Sequence, residues 1–433
     1  MELLNENAEI NSVGVTATFE RIYRRSPADF KRNGHYRTIV VLLLAVTVMF
    51  AGCRTFVERP SGDTVMMKIS SYSFPNFSDD LGYHGLEHGI MQSLSYLRKI
   101  PADRIFVFGD DRYDANHMIR SLEFFLEYIQ TTPTHKELKK FIKSNYRVYR
   151  SVGRDGRGEV LYTGYYEPHL RGSLYQGDEY QFPIYARPDD LITIDLSPFN
   201  EKYDGERIVG RFTDQTVVPY YERKDIDYDN VLGDSAKVLA WVKDQIDIFF
   251  LQIQGSGKVY LDNGDVINVH YHESNGRPYR SIGKLLIDEN KIAREDMSMQ
   301  KIRAYLQQHP EEIESVLNYN PSYVFFKIEP DGPLGNINVR LTPGRSIALD
   351  RKIFPPAALA YIITEKPLVD STGIINGWSD CSRFALNQDT GGAIKGPGRA
   401  DLFWGNGQYA EIAAGHLKHP GKLYFLILKP DEP

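Results

Sequence analysis

The stretch from Asn387 to Gly405 (NQDTGGAIKGPGRADLFWG) decides how the C-terminal part of the chain folds. It contains two aspartates, Asp389 and Asp401, which are twelve positions apart. Glycine permits positive φ and close backbone approach, so this spacing predicts a tight connection and not the interior of a helix or strand. The glycines that support this prediction are Gly391, Gly392, Gly396 and Gly398.

The two aspartates have different neighbours. Asp401 is followed by the apolar run Leu402–Trp404, and desolvation by apolar surface raises the pKa of a carboxyl group. A carboxyl group that stays protonated near neutral pH is what a site protonating a sugar linkage needs. Asp389, followed by Thr390 and a glycine pair, is predicted to be a hydrogen-bonding partner. The alternative is that both aspartates only cap turns through Asx-type bonds.

Several other classes of site are disfavoured. Gly391 and Gly396 have Walker-like spacing, but Pro397 and Gly398 replace the required lysine and hydroxyl residue, which argues against nucleotide binding. The net charge of −6 is not the excess of positive charge that is typical of nucleic-acid-binding proteins, so no nucleic-acid partner is expected. The histidines at 416 and 419 have no cysteine or acidic cluster beside them, so neither a metal nor a cofactor is predicted.

The N-terminal region has the pattern of an export signal. An apolar run of thirteen residues, 39–51, is shorter than the roughly 20 residues that span a bilayer and fits a signal-peptide core. The run ends before Gly52 and Cys53, in a segment that resembles the lipobox of bacterial lipoproteins. We therefore expect an export segment over 1–52, lipidation of Cys53 and a tether over 53–75. A cleaved ordinary signal or a short uncleaved anchor are the alternatives.

The lipoprotein pattern also predicts where in the cell the protein is located. Residue 54 is arginine and not the aspartate that retains enterobacterial lipoproteins at the inner membrane. We expect an outer-membrane lipoprotein of the cell envelope that faces the periplasm. With Cys53 lipidated, Cys381 has no partner for an intrachain disulfide, and it is expected to be a buried apolar residue.

Composition and periodicity indicate the fold class. The chain has 433 residues, 25% of them charged and 42% hydrophobic, which is typical of a globular protein large enough for two cores. Apolar spacing predicts helices and short strands. The predicted helices are 115–130, 136–149, 280–288 and 297–307, the predicted strands include 160–165, 181–185, 246–253, 357–364 and 423–428, and 311–316 is predicted to be a turn. This mixture favours an α+β, mainly β fold with barrels over a doubly wound parallel sheet.

Six segments in order give the chain a family resemblance. Besides the stretch at 387–405 they are 162–168 (YTGYYEP), 252–257 (QIQGSG), 279–284 (YRSIGK), 320–326 (NPSYVFF) and 350–356 (DRKIFPP). Together they resemble the membrane-bound lytic murein transglycosylase A family, which combines an MltA domain with a C-terminal 3D domain named for three aspartates. The resemblance runs from about residue 162 to residue 428.

The resemblance implies an architecture. It is a double-psi β-barrel domain built from residues 76–170 and 323–433, with the catalytic 3D region at about 340–430. A smaller β-domain, residues 171–322, is inserted between them together with a few helices. The glycan is expected in the cleft between the two domains.

The resemblance also implies the chemistry. Such enzymes cut the β-1,4 bond between N-acetylmuramic acid and N-acetylglucosamine of peptidoglycan and form 1,6-anhydromuramic acid. Asp401 matches the single carboxyl that acts first as general acid and then as base, while Asp389 and Asp350 match the supporting aspartates. The attacking C6 hydroxyl is already tethered to the sugar, so no second catalytic carboxylate is required.

Six further positions are expected to bind substrate. Gln254, Gly255 and Ser256 are predicted to form a turn after an apolar strand, either contacting sugar groups or serving only as a hairpin turn. Trp404 is expected either to stack its ring against a sugar or to be buried in the core, and the sequence favours neither alternative. The remaining two positions are Tyr165 and Lys395.

Two other functions stay open at this point. A glycoside hydrolase acting through water needs a second carboxylate near Asp401, for which Asp389 is the candidate. A murein-binding lipoprotein without turnover is the third reading. The expected partners are peptidoglycan glycan strands and a membrane, with a wall-synthesis complex as a further possibility for which the sequence names no component.

Overall fold

A computed structural model of the protein describes residues 64–430. The predicted export segment, Cys53 and the rest of the predicted tether as far as residue 63 lie outside the described residues. Among residues 64–430, no helix combines the length and the hydropathy needed to cross a membrane.

The first part of the described chain alternates short strands with helices. Its elements are β1 (Met66–Lys68), α1 (Leu86–Leu97), β2 (Ile105–Phe108), β3 (Asp111–Asp114), α2 (Ala115–Ile129), α3 (His135–Asn145), β4 (Tyr146–Ser151) and β5 (Val160–Tyr165). Helix α2 matches its prediction because Asp114 caps it, accepting a 2.7 Å hydrogen bond from His117 N. The predicted helix 136–149 was wrong after Asn145, because the residues from Tyr146 onward form strand β4.

The middle part contains most of the helices. Its elements are β6 (His169–Ser173), β7 (Phe182–Tyr185), β8 (Leu191–Asp195), β9 (Arg207–Thr213), β10 (Thr216–Pro219), α4 (Arg223–Tyr228), β11 (Val238–Val242), α5 (Gln245–Gln254), β12 (Ser256–Leu261), β13 (Val266–Ser274), α6 (Ile282–Asp288), α7 (Met299–Gln308), α8 (Ile313–Asn318) and β14 (Val324–Glu329). Six of the strands form a sheet in the order β14-β13-β12-β6-β11-β7, and β10-β9-β8 form a smaller one.

Two predictions in this middle part were wrong. Residues 246–253 were expected to be a strand and are helix α5, capped by Asp244 and ended by Gly255 at φ 78°. The helix is apolar on two sides, with Ile246 and Phe249 packed in one cluster and Leu251 in another, so its sequence lacks a helical period. The expected turn at 311–316 is largely α8, which follows a short 3₁₀ turn.

The last part returns to strands that are longer than predicted. Its elements are β15 (Ser346–Ala348), β16 (Leu359–Val369), β17 (Ile375–Asp389), β18 (Arg399–Phe403), α9 (Gln408–His416) and β19 (Lys418–Leu428). Strand β17 has 15 residues, and β16 and β19 have 11 each. Cys381 on β17 is buried with a free thiol, as predicted.

Six strands from the two ends of the described chain close a barrel. The order is β19-β16-β17-β15-β18-β5, and β5 pairs back onto β19. The pairs β15/β17 and β18/β5 are parallel, and the others are antiparallel. Strands β4 and β1 extend the sheet beyond β19. The mixed, mainly β class is confirmed.

A buried ion pair joins the start of the described chain to the barrel. Arg345 is fully buried and donates to both carboxylate oxygens of Asp79, at 2.6 and 2.9 Å. Burial opposes the charged form of Asp79, but the Arg345 guanidinium and further hydrogen bonds outweigh it and lower the pKa. Since Arg345 directly precedes β15, this pair holds the strand that carries the centre of the site.

Candidate active site

One row of residues across four barrel strands forms the site. Ala348 on β15 is paired with Asp389 on β17 and, on its other side, with Asp401 on β18. Asp401 is in turn opposite Thr163 on β5. Because neighbouring strands lie about 4.8 Å apart, the backbones of the two aspartates are roughly 10 Å apart. Strand pairing thus unites residues that are distant in sequence.

The site lies on the face of the sheet turned away from the main core. Ala400 and Leu402 belong to the main core, so the alternation along β18 directs Asp401 and Phe403 to the opposite face. There Phe403 packs with Tyr165, their ring centroids 5.2 Å apart, in a small separate apolar cluster that includes Ala348. Asp401 stands next to this cluster.

Asp401 has one hydrogen-bonded and one open carboxyl oxygen. Its Oδ1 accepts a 2.8 Å hydrogen bond from Thr163 Oγ1, and its Oδ2 accepts none from the described residues. Burial raises the pKa of Asp401 to about 6, against the opposing effects of the Thr163 hydroxyl and the Arg399 charge. A carboxyl with this pKa can both give and take a proton near neutral pH.

Arg399 orients the hydroxyl that serves Asp401. Its Nη2 donates to Thr163 Oγ1 at 3.4 Å. A guanidinium only donates, so the Thr163 hydroxyl accepts from it and directs its own proton to Asp401. Arg399 and Asp401 are two residues apart on β18 and therefore share a face.

Asp389 is held by three donors. Its Oδ1 accepts from the backbone N–H groups of Asn336 and Thr390, at 3.0 and 2.8 Å, and its Oδ2 accepts from Tyr165 Oη at 2.9 Å. Burial raises the pKa of Asp389 to about 6. The charge of Asp401 adds to this rise, and the three hydrogen bonds oppose it. This carboxyl is fixed in place.

Asp350 holds the glycine-rich connection between the other two aspartates. Its side chain is buried, and Oδ2 accepts a 2.8 Å hydrogen bond from Gly396 N. Its Oδ1 accepts from Lys352 N at 3.1 Å. Asp350 therefore fixes the path of residues 390–398 and makes no hydrogen bond to Asp389 or Asp401.

The segment 254–256 is not the predicted hairpin turn, because Gln254 ends helix α5, Gly255 caps it and Ser256 begins β12. Gln254 Oε1 accepts a 2.9 Å hydrogen bond from Tyr166 N, which places the segment beside the end of β5. Ser256 Oγ lies 2.7 Å from His270 Nδ1. Burial, aided by the charge of Lys327, lowers the pKa of His270 to about 4, so this pair is neutral at pH 7.

The remaining predicted contacts differ in their exposure. Lys395 is exposed in the glycine-rich connection and has no hydrogen bond or ion pair within residues 64–430. Tyr165 is buried, and its hydroxyl donates a hydrogen bond to Asp389. Trp404 is 8% exposed and belongs to the main core, with the Arg383 guanidinium 5.8 Å from its ring, so it offers no open platform.

Side chains that could ligate a metal ion occur throughout residues 64–430. There, three or more ligand atoms of His, Cys, Asp or Glu come within 4.8 Å of one another only at His309, Glu311 and Glu312, outside the site. His416 donates from Nδ1 to the Ile412 carbonyl, and His419 pairs with Glu365.

Comparison with known proteins identifies the family. The model of the MltA specific insert domain matches residues 161–327, and that of the 3D domain matches 345–427, which contain all three aspartates. The chain is 34% identical over 285 residues to membrane-bound lytic murein transglycosylase A of Escherichia coli K12, covering 65% of this chain and 69% of that protein. The chain belongs to this transglycosylase family.

Other family members agree in sequence and in structure. The homolog from Buchnera aphidicola is 30% identical over 76% of this chain and 80% of its own length. The membrane-bound lytic murein transglycosylase from Agrobacterium tumefaciens has a TM-score of 0.69 at 28% identity, covering 84% of this chain and 98% of that one. E. coli MltA with bound chitohexaose has a TM-score of 0.66 at 26% identity, covering 86% and 98%.

Sequence reasoning missed two residues of the site. Thr163 and Arg399 were not selected, although together they form the chain of donors that ends at Asp401. Arg399 had a usable signal, because a cation two positions from Asp401 on one strand must lie on its face. Thr163 is 238 positions from Asp401, and only the pairing of β5 with β18 brings the two together.

Proposed function

We propose that this protein is a peptidoglycan lytic transglycosylase in which Asp401 is the single catalytic acid and base. The observation that carries the proposal is the state of this carboxyl: its pKa is raised to about 6 and its Oδ2 is left open. The relatives are named murein transglycosylases, and a solved family structure contains bound chitohexaose. A β-1,4-linked glycan strand is therefore the substrate and partner.

The proton moves away from Asp401 and back to it. Protonated Asp401 donates to the oxygen linking N-acetylmuramic acid to N-acetylglucosamine, and the bond from that oxygen to C1 breaks. The resulting carboxylate accepts the proton of the C6 hydroxyl while O6 bonds to C1. The products are a free sugar hydroxyl and a 1,6-anhydro ring, and no water is consumed. Tethering of the nucleophile replaces a second catalytic carboxylate.

The other site residues position Asp401 and the glycan. Asp389 and Asp350 are supporting aspartates, the first held by Tyr165 and the second holding the connection at Gly396. Gly255, at φ 78°, and the adjacent Ser256 contact the sugar, with Gln254 fixing their place against β5. The exposed Lys395 binds at the glycan's edge.

The mass of the products tests the reaction. Murein sacculi digested by the purified protein should yield 1,6-anhydromuramoyl fragments, each lighter by one water than a muramidase fragment of the same composition. Activity should persist in EDTA. Asp401→Asn serves as the matched inactive control. Fragments with only reducing-end muramic acid would replace this proposal with hydrolysis.

One observation favours hydrolysis as the second candidate. Asp389 also has a pKa raised to about 6, and a single strand, β15, separates it from Asp401. A hydrolase would use such a carboxylate to activate water. Against this, three donors already hold Asp389, while the tethered hydroxyl needs no activation by a second group.

Two further proposals concern the architecture. We infer that the barrel has double-psi connectivity, which its two parallel strand pairs support. The domain division at about residues 171 and 322 is likewise a proposal. The six-stranded sheet formed between His169 and Glu329 supports an inserted domain of about this extent.

Anchoring through Cys53 is proposed from the sequence. The relatives are named membrane-bound, which supports a place in the cell envelope. Cys53→Ser should leave the chain unacylated and unprocessed at this site, and native protein should fractionate with the outer membrane. Recovery of the native protein in the inner-membrane fraction would contradict the proposed outer-membrane location.

A further inference from the structure

The small sheet β10-β9-β8 has one side turned to the protein and one side turned outward. Leu191 and Val209 are on the inward side, where they pack in the apolar cluster that contains Tyr220. Arg211, on the same side, has its guanidinium 4.4 Å from the centre of the Tyr221 ring. Because side chains alternate along each strand, the residues between these positions face outward.

The outer face of the small sheet carries only apolar side chains and one glycine. The strand register places these residues in adjacent rows: Ile194 opposite Ile208, Gly210 between Ile192 and Pro219, and Phe212 opposite Val217. Phe212, Ile208 and Val217 are 62%, 47% and 40% exposed. Within residues 64–430, no side chain of this face belongs to an apolar cluster. Such an exposed apolar face marks a contact with a partner or a membrane.

Two observations disfavour a second copy of this chain as the occupant of the outer face. Three strands of four to seven residues give the face an area of roughly 250 Å². A stable interface buries about 800 Å² on each partner, so this face alone is too small. Of the two edge strands, β10 has only four residues and ends in Pro219, and both features oppose edge-to-edge pairing.

The predicted lipid anchor supplies a membrane as the occupant. Eleven residues, 53–63, lead from the predicted acylation site to the described chain, and they reach at most about 40 Å. A domain of this size has a radius of gyration of roughly 21 Å, so the anchored domain stays within about its own diameter of the membrane. This confinement gives even a small apolar face a high effective concentration of lipid.

Short contacts connect the start of the described chain to the small sheet. Lys68 on β1 lies two strands from Phe425 on β19, because β4 pairs with both strands. The Phe425 ring stacks on Phe354, with the ring centroids 5.1 Å apart. Lys352, two residues before Phe354, has its Nζ 3.0 Å from Oε1 of Glu206, which directly precedes β9. The membrane is a plane that the tether needs only to touch, so the outer face is within its reach.

We propose that the outer face of the small sheet rests on the membrane that holds the Cys53 anchor. Lipid tails accept apolar side chains without shape complementarity, whereas a protein interface also needs polar contacts, which this face does not offer. The connection between β8 and β9 suits the headgroup region, because Lys202 Nζ lies 4.5 Å from the centre of the Tyr203 ring. The proposal rests on the proposed acylation of Cys53.

Fluorescence of the acylated full chain in liposomes of phosphatidylethanolamine and phosphatidylglycerol tests the proposal. An environment-sensitive label is placed on Phe212→Cys or, as the matched control, on Ile374→Cys, where the native side chain is 61% exposed. Cys381 is buried and Cys53 is acylated, so only the introduced thiol is labelled. A nitroxide on the lipid acyl chains should quench the label at 212 at least about twofold, because the face inserts at the headgroup–acyl boundary. The label at 374 should stay unquenched.

A charge on the outer face should reverse this result. With the label on Val217→Cys, quenching should be lost when Phe212→Asp is added. Equal quenching of the labels at 212 and 374 would overturn the membrane contact. A label at 212 that is shielded from water but not quenched by the nitroxide would replace the membrane with a protein, and shielding only at several copies per liposome would identify a second copy.

The anchor is tested separately by the mass of the purified chain. An unmodified Cys53 thiol would overturn the anchor and the membrane contact together. An acylated chain whose two labels are quenched equally would overturn the contact and leave the anchor in place. Neither result bears on the reaction at Asp401, which is measured by its products.

Discussion

Asp389 and Asp401 lie opposite each other across a single strand, both paired with Ala348. They differ in the number of donors that hold them. Asp389 accepts three hydrogen bonds, whereas Asp401 accepts one and keeps Oδ2 open. The same type of side chain, partly buried on the same face of the barrel, is therefore rigid at one position and available for proton transfer at the other.

The two aspartates should respond differently to replacement by asparagine. General acid–base catalysis is worth roughly 10²–10⁴-fold, so Asp401→Asn should lower the rate by at least about 10³-fold because one carboxyl performs both proton transfers. Asp389→Asn should lower it by about tenfold, since asparagine still accepts some of the hydrogen bonds. Release of anhydro products from sacculi gives both rates. Should Asp389→Asn be as inactive as Asp401→Asn while still folded and binding glycan, the assigned roles would be wrong.

Activity should depend on the protonation of Asp401. Since the free enzyme must hold this proton, kcat/KM should fall as the pH rises through about 6. The hydrogen bond from Thr163 stabilises the charged form and so lowers the pKa. Thr163→Val should therefore move the fall to higher pH by about half to one unit.

The matched control for this shift is Thr163→Ser, which keeps the hydroxyl. Its pH profile should coincide with that of the wild type, even if its rate is lower. Identical profiles for the valine and serine variants would show that the titrating group is not Asp401.

Local signals made part of the fold predictable. Helix α2 was found because its apolar spacing and its cap at Asp114 agree, and strand β5 because it is rich in β-branched and aromatic residues. Helix α5 was not, because burial on two sides removes the contrast between faces that marks a helix. Barrel closure depends on pairing β5 with β19, which no local pattern encodes.

The sequence predicted Asp401 as a site residue, but it did not predict which residues hydrogen-bond to the two aspartates. The raised pKa of Asp401 was expected from its apolar neighbours and is confirmed in direction. The cause is different in detail, because Leu402 faces the main core and only Phe403 shares the face of Asp401. The donors at Thr163 and Tyr165 come from a strand more than 200 positions earlier, which spacing within one stretch cannot reveal.

Gly164 should be essential for packing β5 against the core. A Cβ at this position would lie 2.6 Å from Trp404 Nε1 and 2.9 Å from the Ala414 Cα, closer than real contacts allow. Gly164→Ala should cost about 1–3 kcal/mol of stability by overpacking, and it should slow the reaction because Thr163 moves with the strand. Gly177→Ala, where a Cβ meets nothing within 4 Å, is the matched control and should stay within about 0.5 kcal/mol. Urea midpoints compare the two, and equal midpoints would contradict the packing argument.

The Asp401 carboxyl should lower the stability of the fold above pH 6. Its pKa is about 6 in the folded chain and near 4 when unfolded, so the folded state holds a proton that the unfolded state releases first. The folded state is therefore stabilised by its stronger binding of the Asp401 proton, and this stabilisation is fully present below about pH 4 and is lost as the pH rises through about 6. Asparagine has no proton to lose, so Asp401→Asn should exceed the wild type in stability by about 1–3 kcal/mol at pH 7.5 and by little at pH 4.5. Urea midpoints at both pH values measure this, with Asp103→Asn, at an exposed carboxyl, as control. An advantage of Asp401→Asn that is the same at both pH values would mean that removal of the charge is not its cause.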